Sequence, residues 1–445
     1  MNISSGVQVL VHQTSGQSSD AALEAQNMSG QTKYILYKQR FIIAFAVAMG
    51  NLANAALWSS YGAVTPVASK YFDTSSIGVN VLAGLFLVWY IPISPLSSWV
   101  IEANGVRLSV FIGFMLTIVG SLCRTLSNFL SVGRARFILC IVGQSIAAIG
   151  QPFLLDAPAK ISSVWFGPNE RTVANSVMAL AQPIGSVIAF IISSSTITDE
   201  SSSFLQMDVI LLIISILGFI PCYWVENQPK TPSSHSGEIK SMGFKESLNS
   251  LLSNVQFLYL CIICGCSIGM FNTFITLISE YITPFGYSQA DSGTLGSIVI
   301  GVGLLSAAVI GIYLDRSKNH ELMIKFCSLM LLIGTIVFYM GAKPDNFIML
   351  ALGSAILGLG GFPVIPMAME LAVETTFPVD EGTSSGFLMM SGMLGGITFL
   401  VISNILPQTG NFNNAILLLI VIGAIMFLIS MLFKNEKKRI AKDSD

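Results

Sequence analysis

Asn51, Asn54, Trp58, Tyr61 and Thr65 follow one another at intervals of 3, 4, 3 and 4, the spacing that lays side chains along one stripe of an α-helix. Such a stripe supports recognition rather than bond-making: amides exchange hydrogen bonds, and aromatic faces attract a cation through their π-electrons. Two destinations are open for it, a polar cavity or the seam with a partner helix. The cavity reading is adopted, with Asn54, Trp58 and Tyr61 as ligand contacts. A second stripe, Asn175, Gln182, Ser186 and Ser193, has intervals of 7, 4 and 7; close packing accounts for all but Gln182, which joins the contacts. Asn272, Thr276 and Glu280 lie on adjoining turns of a third segment, and Met389, Met393 and Gly396 on a fourth. Asn272 and Met393 complete the candidate ligand set.

Ionisable groups inside apolar segments are costly to keep there and point into the protein. Asp156 and Lys160 stand four apart in DAPAK, acid before base, and Glu370 and Glu374 occupy the matching place half a chain later. These four form either a gate or coupling site or a structural network between two halves. Glu280 is either an attractor for cations or an interfacial charge. Cys261, Cys264 and Cys266 imitate a metal motif without a second pair or a nearby His to complete four ligands, so no metal is expected. His12, His235 and His320 fall in a tail, a linker and a loop, which leaves no histidine relay within the apolar segments. No phosphate-binding loop or nucleotide motif is present, and neither a cofactor nor covalent chemistry is expected.

The elements that hold these residues are dictated by composition. Apolar residues make up 53% of the chain and charged residues 10%, with a mean hydropathy of +0.72. A soluble domain carries about 25% charged residues, so a water-facing surface cannot be built from this sequence. Twelve apolar runs are long enough to cross a bilayer as helices: 41–67, 77–100, 107–127, 136–160, 171–195, 206–225, 255–283, 290–314, 322–341, 346–373, 383–405 and 412–433. Continuous runs without strand-like alternation exclude a barrel. With both termini inside, 17 of the 22 basic residues fall on the inner side, as the positive-inside rule requires. The exception is a cluster of Arg124, Arg134 and Arg136 at an outer connection. Residues 1–36 read as a disordered cytosolic tail, 37–225 as a six-helix bundle, 226–254 as a cytosolic linker, 255–433 as a second six-helix bundle and 434–445 as a cytosolic tail. No basic patch suggests nucleic acid; the partners are a lipid bilayer and a small molecule, and the chain is expected to be a monomer.

One half of the chain repeats the other. At a constant offset of 211 residues Gly150 matches Gly361, Pro152 Pro363, Phe166 Phe377, Glu170 Glu381, Thr172 Thr383, Met178 Met389 and Gly185 Gly396. Two apolar helices joined by an acidic turn, duplicated within an apolar protein, are the signature of a two-lobed carrier. Glu102, Gly105 and Arg107 in IEANGVR, and Gly311, Leu314, Asp315 and Arg316 in GIYLDRSK, resemble the inner-loop signature of the major facilitator superfamily. That resemblance implies that Glu102, Arg107, Asp315 and Arg316 latch the bundles when the cavity opens outward.

NAALW at 54–58, SVWFGPNER at 163–171 and PMAMELAVETTFPVDEGTSSG at 366–386 closely resemble the feline leukaemia virus subgroup C receptor related (FLVCR) family, and ISEYITPFGYSQADSGTLG at 278–296 is similar to its disrupted in renal carcinoma branch. The likeness spans about Tyr37 to Phe433. It implies a transporter of choline, ethanolamine, a related cationic metabolite or a pyridoxine-like vitamin, with haem less favoured, and it raises Trp58 as a substrate contact. Where choline-transporting members have Tyr and Gln, this chain departs from them with Asn272 and Met393, and their fifth-helix Gln aligns with Pro183, one place from Gln182, so the aromatic cage that the resemblance implies for choline is incomplete here. The expectation is an all-α protein of twelve transmembrane helices in two pseudo-symmetric bundles, in the plasma membrane or an endolysosomal or vacuolar membrane, working by alternating access. A transport-inactive receptor on the same fold is the alternative.

Overall fold

The computed structural model describes residues 36–167, 170–197, 203–229, 244–317, 319–376, 379, 381–406 and 413–434. The tails at 1–35 and 435–445, the middle of the linker at 230–243, and the sites of His12, His235 and Lys318 lie outside the described residues. Within them the chain forms fifteen α-helices. They are α1 (Gln39–Ser59), α2 (Thr65–Tyr71), α3 (Ser76–Asn104), α4 (Val106–Ser127), α5 (Gly133–Leu155), α6 (Ala157–Trp165), α7 (Arg171–Thr196) and α8 (Phe204–Phe219) in the first half. The second half holds α9 (Phe244–Ser253), α10 (Val255–Ile282), α11 (Gln289–Ser317), α12 (His320–Gly341), α13 (Phe347–Thr376), α14 (Glu381–Ile405) and α15 (Asn413–Leu432).

Twelve of the segments are long and apolar enough to cross a bilayer. Helix is the form such segments must take, because a hydrocarbon layer offers no partner to an unbonded backbone amide or carbonyl. Phe41, Val177, Leu305, Val309, Ile312 and Leu428 remain exposed on their outer faces, which a water-soluble protein would bury and a lipid-facing one presents. Since the chain enters its first span and leaves its last on one side, that side is called the terminal face and the other the distal face.

Two spans are broken. The first does not run from 41 to 67 as one helix: α1 stops at Ser59, and the helix restarts at Thr65 with a proline in its first turn. Tyr61 and Thr65 therefore leave the stripe that Asn51, Asn54 and Trp58 share. Gly62 sits in the break, where an added Cβ would lie 2.6 Å from the carbonyl oxygen of Ile275 in α10. The fourth span divides at Asp156 into α5 and α6, with Pro152 inside the first and Pro158 in the opening turn of the second.

Each half packs by the same scheme, α1 on α7 as α10 on α14, α3 on α5 as α11 on α13, and α4 on α5 and α8 as α12 on α13 and α15. Glycines set the closest approaches: a Cβ at Gly185 would meet the Leu52 carbonyl oxygen at 2.1 Å, and one at Gly395 the Gly265 carbonyl oxygen at 2.3 Å. These are equivalent helix pairs in the two lobes, as the duplicated sequence requires.

The lobes meet along α7 with α11 and α3 with α14. Phe190 and Ser194 lie against Gly293 and Gly296, Gly84 against Leu400, and Leu87 against Gly396. All of these belong to the distal half of the helices, so the distal side of the interface is closed. The stretch between lobes is fastened at both ends. Asn227 accepts from the Arg107 amide at 2.9 Å and donates to the Asn104 carbonyl, holding the α3–α4 turn in which Gly105 takes a φ of 88°. Asn254 caps α10 through the amides of Gln256 and Phe257 and donates to the Thr375 carbonyl of α13 at 2.8 Å.

Candidate functional site

The seam between α3 and α14 gathers the middle of the molecule. Leu87, Tyr90 and Met393 form one buried cluster across the two lobes, with Ile91, Leu155, Met389 and Ile397 packed on it. Asn272 of α10 belongs beside it: a Cβ at Gly396 would lie 3.2 Å from Asn272 Nδ2 and 3.0 Å from Leu87 Cδ1. Asn272 is 6% exposed, and its side-chain amide makes no hydrogen bond among the described residues. Asn272 and Met393 thus both lie by Leu87 on this seam.

Behind this cluster Tyr90 donates its hydroxyl to Asp156 Oδ1 at 2.8 Å, and Ser94 and Ser97 donate to Oδ2. The break between α5 and α6 turns the carboxylate toward α3 of its own lobe. Three hydroxyl donors replace the water that an anion loses on entering a span. Tyr90, Ser94 and Ser97 were missed in the sequence, although Asn80, Leu87, Tyr90, Ser94 and Ser97 follow intervals of 7, 3, 4 and 3 and so mark one stripe of α3.

The stripe on the first span is only partly available to a ligand. Asn51 donates to the Met178 carbonyl, and Asn54 donates to Thr117 Oγ1 at 3.0 Å and to the Ala147 carbonyl at 2.9 Å. Asn54 is therefore a helix-packing residue rather than a cavity contact, because its amide is consumed by α4 and α5. Tyr61 is likewise engaged within its own lobe. Its hydroxyl is bonded to Cys140 Sγ, and the Arg124 guanidinium carbon lies 4.6 Å over its ring, so the face that would receive a cation already holds one. Trp58 differs from both: it is 6% exposed and its indole Nε1 is buried without a partner. Gln182 is half-buried on α7 and makes no hydrogen bond among the described residues.

Arg124 is no outer-loop charge. It is fully buried, bonded through Nη1 to the Leu57 carbonyl and Gln144 Oε1, and through Nη2 to Ser60 Oγ and Asp208 Oδ1 at 2.8 Å. Asn128 donates to the other Asp208 oxygen. The cation thus fills the end of α1, where the broken helix leaves carbonyls without amide partners.

The remaining charges fall into two groups. Glu280 is neither interfacial nor open to solvent: it is 4% exposed and accepts from Asn80 Nδ2 of the opposite lobe at 2.8 Å. Asn80 also donates to Asn404 Oδ1 of α14 at 2.9 Å. On the terminal side Glu370 pairs with His320 Nε2 at 3.1 Å; His320 is a buried residue opening α12, not the loop histidine expected. Lys160 is exposed and Glu374 half-buried at the same end. Arg107 is exposed where α4 begins; the side chains of Glu102, Asp315 and Arg316 lie outside the described residues, with their backbones in the last turns of α3 and α11. Among the described residues no group of three or more His, Cys, Asp or Glu could hold a metal ion.

Two discontinuous spans, a lobe-spanning aromatic and amide cluster at mid-depth, and a distal closure made by matching helices define a rocking two-lobed carrier. Comparison with known proteins supports that class. A sequence profile of the Major Facilitator Superfamily matches residues 47–398. Solute carrier family 49 member A3 of Xenopus tropicalis is 30% identical over 373 residues, covering 82% of this chain and 77% of the relative. The choline/ethanolamine transporter FLVCR1 of Felis catus is 24% identical over 424 residues, covering 91% of this chain and 74% of the relative. Among solved structures, a bacterial homologue of the human lysosomal transporter Spinster, in an inward-facing and unoccupied conformation, superposes with a TM-score of 0.68 at 13% identity over 89% of this chain and 98% of that one. A D-xylose–proton symporter gives the same TM-score of 0.68 at 16% identity, with the same coverage of 89% and 98%. The chain belongs to the major facilitator superfamily, within the solute carriers of the FLVCR family. It is a multi-pass membrane transporter.

Proposed function

We propose that this transporter moves a small cationic or polar organic metabolite of the choline or ethanolamine kind, and that Trp58, Gln182, Asn272 and Met393 contact it. The observation that carries this reading is the cluster of Leu87, Tyr90 and Met393 with the unbonded Asn272 amide beside it. Ring faces and a thioether suit an ammonium headgroup, a free amide suits a hydroxyl, and Asp156 behind the Tyr90 hydroxyl supplies negative charge without meeting the ligand directly. The relatives named as choline/ethanolamine transporters support the same class.

The terminal face is taken as cytosolic on the charge bias, in the plasma membrane or an endolysosomal or vacuolar membrane, with the chain acting as a monomer. With its distal side closed, the molecule then stands in the half of the cycle that excludes the outer solution. Glu102 and Arg107, and Asp315 and Arg316, lie at equivalent terminal-side turns and serve as the latches of the opposite half.

The test is uptake of radiolabelled choline and ethanolamine into proteoliposomes, with pyridoxine as competitor and protein-free vesicles as control. Saturable uptake of either amine supports the proposal. Tight binding without uptake would make the chain a receptor, and failure of all three compounds to bind or compete would remove this substrate class.

A further inference from the structure

The distal closure contains two acceptors with nothing to accept. Glu280 Oε2 receives Asn80 Nδ2, but Glu280 Oε1 is buried without a partner, and so is Asn80 Oδ1. The orientation of Asn80 is fixed rather than arbitrary. Asn404 Nδ2 donates to the Leu400 carbonyl at 2.8 Å, so its Oδ1 faces Asn80; Asn80 must then present its amino group there, which leaves its oxygen as the orphan. Glu280 is 4% and Asn80 2% exposed, which excludes bulk water as the missing donor.

No cation takes that role. Glu280 makes no ion pair among the described residues. Tyr281 adjoins it on α10; Lys70 and Tyr71 lie on α2 and Asp291 on α11, where Asp291 accepts from Ser288. From α3, α13, α14 and α15 the described groups at this depth are uncharged. The Ser76 hydroxyl at the start of α3 also interacts with the carboxylate, yet a buried carboxylate held by one amide and one hydroxyl still carries a desolvation cost.

We infer that Glu280 and Asn80 form a proton-binding site built into the distal gate, and that the gate closes with one proton on Glu280 Oε1. That proton turns one orphan acceptor into a donor and leaves the other, Asn80 Oδ1, as an acceptor in the same sealed cluster. The proton comes from the distal solution while the gate is open, forms an O–H bond at Oε1, and returns to water as the carboxylate is resolvated. Proton binding and closure are linked: closure is favoured at low pH and lost as pH rises, by at most about tenfold per pH unit for one proton. This depends on alternating access and not on which substrate is carried, so it stands or falls separately from the choline reading.

The experiment measures distal opening directly. Spin labels at Val132→Cys and Lys343→Cys, both exposed near the distal ends of opposite lobes, report the separation of the lobes in purified full-length protein. In the wild-type background the closed population is expected to fall severalfold between acidic and alkaline buffer. In Glu280→Gln, whose amide imitates the protonated acid by donating and accepting at once, the gate is expected to stay closed at every pH. Asn80→Ala, which removes the orphan acceptor, is expected to weaken closure in acid and flatten the response; it serves as the deciding variant if Glu280→Gln is not monodisperse. A closed population independent of pH in the wild type overturns the proposal, as does a pH response that survives unchanged in either variant.

Discussion

Tyr90 and Asp156 are joined by a hydrogen bond of 2.8 Å between the second and fourth spans, and the donating ring belongs to the cluster that touches the opposite lobe. One side chain therefore links a half-buried carboxylate to the interface between the lobes. Tyr90→Phe keeps the ring and removes the donor. Loss of a hydrogen bond to a charged group, worth about 1.5–3 kcal/mol, is expected to lower the unfolding midpoint of purified protein. An unchanged midpoint would mean that Ser94 and Ser97 alone satisfy the carboxylate.

Trp58 separates recognition from packing. If its ring meets a cationic substrate, Trp58→Ala loses an attraction of about 0.5–2 kcal/mol together with apolar contact, and choline affinity should fall roughly 10-fold or more. Trp58→Phe should retain part of it. The measurement is choline binding to purified, monodisperse protein, where unchanged affinity removes Trp58 from the site.

Arg124 and Asp208 are a buried pair of the kind that is costly to break from one side. Arg124→Gln leaves Asp208 in the interior without its counter-charge, and a loss of about 3–5 kcal/mol is expected. Combining it with Asp208→Asn should recover part of that loss, because neither charge then remains. A double-mutant cycle of thermal stability checks the coupling, and simple additivity would contradict it.

Asp315→Ala is expected to impair switching more than binding, since Asp315 lies in the last turn of α11 and not at the central cluster. Choline affinity should stay near wild type while the transport rate drops. Normal flux with an unchanged gate equilibrium would exclude Asp315 from the latch.

Asn2 and Asn27 stand in Asn-x-Ser sequons, yet the proposed orientation places their tail on the cytosolic side, so neither should carry a glycan in a eukaryotic host. Glycosidase-sensitive mass on either residue would reverse the assigned orientation.

What the sequence revealed and what it concealed divide along physical lines. Spans, lobes and repeat were legible because each depends on local hydropathy and a fixed offset, whereas the break at Gly62 and Pro66 was hidden by the continuous apolar run of 41–67. Side-chain destinations were not. Asn54 has the same helical position whether it faces a cavity or bonds Thr117 and Ala147, and only the placement of α4 and α5 decides between them. Arg124 and Asp208 are separated by 84 residues, and Asn80 and Glu280 by 200, so neither partnership has a local signal. The α3 stripe was the exception, a readable pattern with no conspicuous residue to draw attention to it.

The two asparagines that fasten the interlobe stretch determine how motion can pass between the halves. Asn227 is bonded to the first lobe and Asn254, with α9 before it, to the second, so the chain from Asn227 to α9 is what has to accommodate the stroke. That segment then serves as a connection and not as a lever. Lengthening it with inert residues should leave turnover unchanged, whereas freeing either asparagine would let strain reach a helix end at the terminal face and blur the timing of the swing.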